Sequence, residues 1–158
     1  MSDVEFDVRG LTETDGRLAS VQNKLPDTLK RLMTKAVLYA QGQIPAYPAA
    51  SPGSSYRRTG TLGRVVTAFP GVSGGRDLGG GSGGGGEAGV PLSRVEALGS
   101  GVKGVVGGRL SYLPDVVGEE QGKAFRGRWW QLKRVITGAR DGIVSIFRAG
   151  VIELFRSG

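Results

Sequence analysis

Cysteine and histidine are both absent from this chain. Without them there is no disulfide, no thiolate nucleophile and no zinc site of the usual ligand types. A Ser-His-Asp triad and a histidine general base are excluded as well. Any enzyme chemistry has to rest on carboxylates, lysine, tyrosine or a hard metal ion. The candidates for it, Asp115, Glu119 and Glu120 close to Tyr112, read as a solvated turn, so the expectation is no enzyme, no cofactor and no metal. Long apolar runs are missing too. Nothing approaches the ~20 apolar residues of a membrane helix, and the N-terminus lacks the basic-then-apolar pattern of a secretory leader. The expectation is a soluble protein made in the cytosol, with no membrane partner.

Glycine and positive charge are what the chain has in excess. Of 158 residues 29 are glycine, and the formal net charge is +7. The length points to one domain spanning residues 1–158. The charge implies an acidic partner: nucleic acid, an acidic protein surface or anionic lipid. Much of the glycine lies in Gly71 to Gly89, which holds eleven glycines in nineteen residues. Such a segment loses backbone entropy on ordering with no side-chain burial to offset it, so we expect a long mobile hairpin loop. The G-x-G-x-x-G match at Gly79, Gly81 and Gly84 is unavoidable in such a tract and carries no weight. Gly118 to Lys123 is one residue short of a phosphate-binding loop, with Ala124 where Ser or Thr would hold magnesium.

Hydrophobic spacing supplies the elements. Val4 to Val8 alternates apolar and acidic residues and predicts a short strand with Val4, Phe6 and Val8 on the buried side. Leu11 to Asn23 carries a weaker helical pattern, and Pro26 suits the first turn of a new helix or a kink. Leu29, Leu32, Met33, Ala36, Val37, Ala40 and Ile44 recur at three- and four-residue steps and predict a long amphipathic helix packed on a sheet, stopped by Pro45. Leu62 to Phe69 is rich in β-branched residues and reads as a strand. Val90 to Leu98 and Gly101 to Leu110 read as two more, joined by the turn Gly99-Ser100-Gly101, with Pro91 marking an edge. Tyr112 to Gly118 reads as a loop or short extended piece. Arg140 to Arg156 predicts a terminal helix on the same sheet, with Ile143, Ile146, Phe147, Gly150, Val151, Leu154 and Phe155 on its buried face. The fold class is therefore α+β: a small antiparallel sheet packed against a long helix from the N-terminal half and a C-terminal helix.

Two segments are candidates for function. Pro45, Pro48 and Pro52 make residues 45–58 an extended arm that neither continues a helix nor enters a central strand. With Tyr47, Tyr56, Arg57 and Arg58, followed by Thr59 and the anchor Leu62, the arm has little core of its own and suits docking on another subunit. The second is the basic part, residues 123–158, with eight Lys or Arg against two acids. Within it Arg126, Arg128, Trp129 and Trp130 interleave cations with aromatics. That pattern serves protein–protein hot spots or nucleic-acid phosphates and bases. Two adjacent tryptophans cannot share one strand face or one narrow helix stripe. Either one is core and the other interfacial, or both are partly buried within the monomer.

These segments carry a resemblance. Ser-x-Tyr-x-Arg-Thr-Gly-Thr-Leu-Gly-Arg runs from Ser54 to Arg64. A Tyr-x-Pro-x-Val-x-Gly-x-x-Gln block follows at Tyr112, Pro114, Val116 or Val117, Gly118 and Gln121. Arg126-Gly127-Arg128-Trp129-Trp130 completes the set. Together they resemble the neck, head–tail joining or tail-completion proteins of long-tailed bacteriophages, over most of the chain from about Leu25 onward. The glycine tract is longer than in that family, and Lys123 lies near where the family often has histidine. The resemblance implies a small α+β virion subunit, assembled in the host cytoplasm. It implies a homo-oligomeric ring, a hexamer, that contacts head-connector or stopper and tail-tube or terminator proteins. DNA would pass through its channel without sequence-specific contact. A basic nucleic-acid-binding module is the alternative.

Overall fold

Leu32, Ala36, Val37 and Ala40 are 1–4% exposed, and that stripe fixes the orientation of α1 (Leu11–Gly42), the axis of the molecule. The computed structural model describes residues 11–49, 60–72, 75–76, 78, 89–99 and 101–157. The strand expected at Val4 to Val8 lies outside them. After α1 come α2 (Thr61–Thr67), the strands β1 (Val90–Pro91), β2 (Arg94–Leu98), β3 (Gly101–Val105) and β4 (Gly108–Arg109), and the helices α3 (Leu113–Val117), α4 (Leu132–Gly138) and α5 (Arg140–Arg156). The class is α+β, as expected from the sequence. Among the described residues no helix is long and apolar enough to cross a membrane.

The four strands form one antiparallel hairpin in constant register. Val90 faces Arg109 and Pro91 faces Gly108; the pairing then resumes at Arg94 and Val105 and runs to Leu98 and Gly101. Between the two ladders the Leu92 N–H donates to Gly107 O, and the Gly107 N–H donates to the Ser93 hydroxyl. Ser93 is buried, and the Gln41 amide of α1 donates to its Oγ and to the carbonyls of Val66 and Ala68, each at 3.0 Å. This polar knot ties α1, α2 and the hairpin together where an apolar contact would leave backbone groups unpaired.

α1 is covered on two sides. The hairpin meets Met33 and Val37 at Gly104, while α5 meets Tyr39 at Gly142 and Leu32 at Gly150. Lys24 donates to Ser157 O, so α5 runs antiparallel to α1 and ends level with Lys24. Residues 16–23 of α1, mostly exposed, project past that end. α5 therefore packs on α1 rather than on the sheet. Phe155, expected on its buried face, is 62% exposed.

The expectation at Pro26 also changes. α1 runs through it as one helix. The Gln22 carbonyl loses its donor there, but both residues are exposed, so water can take the bond.

Three further expectations give way to tertiary packing. Leu62 to Phe69 is not a strand: α2 starts after Gly60, whose φ of 70° places it in the left-handed region. Leu62, Val65 and Val66 then fall on one buried helical face. Burying each is worth about 1.5–3 kcal/mol, more than the few tenths by which β-branching disfavours a helix. Tyr112 to Gly118 is not a loop: Pro114 sits in the first turn of α3, and Val116 and Val117 are buried.

The glycine tract is not free at its start. Leu78 is 5% exposed in the core, and the Tyr47 N–H donates to its carbonyl at 2.7 Å. Arg76 Nη2 donates to the carbonyls of Gln41, Gly42 and Ile44 at 2.8, 3.3 and 3.2 Å. α1 has no basic residue in its own last turn, and Arg76 supplies the missing cation to its orphan carbonyls. Arg76→Ala is expected to cost about 1–2 kcal/mol, read as a lower urea midpoint at unchanged slope.

Candidate docking surface

Gln121, 3% exposed, is the peg on which the tryptophan segment hangs. Its Nε2 lies 2.6 Å from Val116 O, 3.1 Å from Trp129 O and 3.3 Å from Trp130 O. The chain between turns tightly: the N–H groups of Phe125 and Arg126 donate to Gly122 O, and that of Trp129 donates to Phe125 O. Gly127 closes the turn with φ of 73°. The glycines of the Arg-Thr-Gly-Thr-Leu and Arg-Gly-Arg-Trp-Trp segments, Gly60 and Gly127, thus both occupy the left-handed region that other residues rarely enter.

Trp129 packs edge-on against Phe125 at 6.0 Å and tilted against Tyr47 at 5.3 Å. Both tryptophans are half-buried against the cluster of Ile44, Leu62, Val65, Val66, Leu78 and Val117. Of the two arrangements open from sequence, both rings partly buried within the monomer is the one found. The Trp130 indole N–H is buried with no acceptor among the described residues.

The start of the proline arm lies on this same body. Tyr47 is half-buried, and its hydroxyl accepts from the Gly63 N–H at 2.6 Å, serving the first turn of α2 where Gly60 offers no side-chain cap. Arg128 Nη2 donates to Ala49 O at 2.7 Å. Tyr47 is thus an internal anchor, and Leu62, 4% exposed, is core with no surface to offer a neighbour. Tyr47→Phe is expected to lose about 1 kcal/mol of stability by chemical denaturation, since the Gly63 N–H is left without its acceptor. Tyr56, Arg57, Arg58 and Thr59 lie outside the described residues.

Arg126 and Arg128 are exposed beside the tryptophans, and the structure adds Arg134 of α4 to them. With Trp129, Trp130 and Val135 they line an open groove of about 680 Å³ that contains no carboxylate among the described residues. Glu119, whose backbone carbonyl accepts from the Gln131 amide, is paired with Lys133. Arg126 and Arg134 have no carboxylate partner among the described residues. The sequence flagged the cations at 126 and 128. Arg134 was counted only as part of a basic run, because its approach depends on where α4 turns. Asp115, Glu119 and Glu120 do not converge, and no group of three potential metal ligands occurs among the described residues.

No protein-family model, no curated protein and no solved structure matches the chain.

Proposed function

We propose that the chain is a structural ring subunit of a long-tailed phage neck. In this reading it joins the head connector to the tail tube by protein–protein docking. One observation supports this reading above the others. Gly60–Leu62 lies about fifty residues before the neighbouring segments Tyr112–Gln121 and Arg126–Trp130, yet all three meet around one cluster. Their apolar and glycine positions hold that cluster, and Arg64, Arg126 and Arg128 stand exposed outside it. A packed apolar interior with a cationic exterior serves docking. Base stacking is less well served, because the Trp129 ring is already covered by Tyr47 and Phe125.

Docking by the arm falls to its second half, because Tyr47 and Ala49 are held on the chain's own body. The test is Arg58→Glu in the phage genome. The expected variant is folded by circular dichroism but yields separate heads and tails. Infectious, joined particles would overturn the arm's part in joining.

A further inference from the structure

Arg126 and Arg134, without a carboxylate partner among the described residues, make the groove ask for an anion, and the chain itself holds one of suitable form. Residues 1–15 carry five acids (Asp3, Glu5, Asp7, Glu13, Asp15) against the single base Arg9, while the basic excess lies after Lys123. Asp3, Glu5 and Asp7 alternate with Val4, Phe6 and Val8. In an extended backbone that order presents carboxylates about 7 Å apart on one side and apolar side chains on the other. A groove with arginines beside Trp130 and Val135 matches both sides at once: guanidinium forks for carboxylates, apolar wall for Val and Phe.

The geometry excludes the chain's own groove as the destination. α1 is 32 residues long, so its two ends stand about 45 Å apart. The groove lies beyond its C-terminal end, since Trp129 packs on Tyr47, five residues past Gly42. Eight residues separate Asp3 from Leu11 and reach at most roughly 30 Å fully extended; for Asp7 the reach is ~14 Å. No set of these three carboxylates can fold back to its own arginines.

We infer that the acidic segment Asp3–Val8 of one copy docks in the Arg126–Arg134 groove of a second copy. This is a head-to-tail contact, which closes into a ring when the rotation per subunit allows it. The inference rests on the ring reading above and names the contact that builds it.

The test uses the full chain carrying Asp3→Asn, Glu5→Gln and Asp7→Asn, which leaves the groove open. It is titrated with a synthetic peptide of residues 1–10 while the fluorescence of Trp129 and Trp130, the chain's two tryptophans, is followed. The expected result is a saturable change that weakens with salt. Affinity falls at least tenfold when Arg126→Gln and Arg134→Gln are added, or when the peptide carries the same three neutral residues. Equal binding of the neutral peptide, or no dependence on the two arginines, overturns the inference. So does an oligothymidine that binds those arginines more tightly than the peptide, since the groove would then serve phosphate. The titration needs no ring, so it is decided apart from the ring reading. If the acid-neutralised chain still forms rings, the contact is misassigned while the ring stands.

Discussion

Gly150→Val is expected to destabilise the protein by about 2–4 kcal/mol. A glycine inside a helix costs roughly 1 kcal/mol relative to alanine, so on propensity alone its replacement should stabilise. The seam decides the sign. A Cβ at Gly150 would lie 2.2 Å from Leu32 Cδ2 and 2.6 Å from Cδ1. Leu32 is 2% exposed and has nowhere to swing. Either α5 lifts away from α1 or Leu32 leaves its rotamer, and both lose buried contact along the helix pair. Gly16→Ala is the control: nothing lies within 4 Å of its Cβ, and helix content by circular dichroism should hold or rise slightly. Thermal melts of the two variants should move in opposite directions or differ by many degrees.

The second large effect falls on Gln121→Leu, expected to cost about 2–4 kcal/mol and to shift tryptophan emission to the red. Leucine fills the space but donates nothing. The carbonyls of Val116, Trp129 and Trp130 share the Gln121 Nε2, and each loses its donor. A buried acceptor left unpaired costs about 1–3 kcal/mol, and the tryptophan segment loses its tether to α3. Gln41→Leu breaks a similar knot at Val66, Ala68 and Ser93, but at smaller cost. Its Oε1 is already buried without a partner, so the substitution also removes an unsatisfied atom. Guanidinium titrations followed by tryptophan fluorescence rank the two.

Long-period patterns were legible in the sequence, and short ones were not. Leu32, Ala36, Val37 and Ala40 repeat over enough turns to leave one interpretation, and the hairpin follows from two β-branched runs around a glycine turn. α2 has only seven residues, too few for LGRVVTAF to separate period two from period 3.6 by itself. Its helix is decided by Tyr47 and the core beneath it, both distant in sequence. Arg76 and Leu78 were hidden by their neighbours: composition argued for an unstructured tract, yet one cation and one leucine suffice to dock its start. The partner of α5 was out of reach for another reason. An apolar helix face states that something covers it, not what; the close approach of α1 at Gly142 and Gly150 shows only in the fold. At the docking surface, the cations at 126 and 128 and both tryptophans came from sequence. Arg134 joined them through the turn into α4, and Tyr47 left the set of exposed contacts because its hydroxyl is needed at α2.

The most direct measurement is the mass of the purified full chain across a range of concentration and salt, with negative-stain images of the same samples. The account predicts closed rings of one fixed copy number that weaken as salt rises, as expected for a contact between carboxylates and arginines. A monomer at every concentration, binding DNA with an affinity that falls steeply with salt, would contradict it and leave a basic nucleic-acid-binding module in its place.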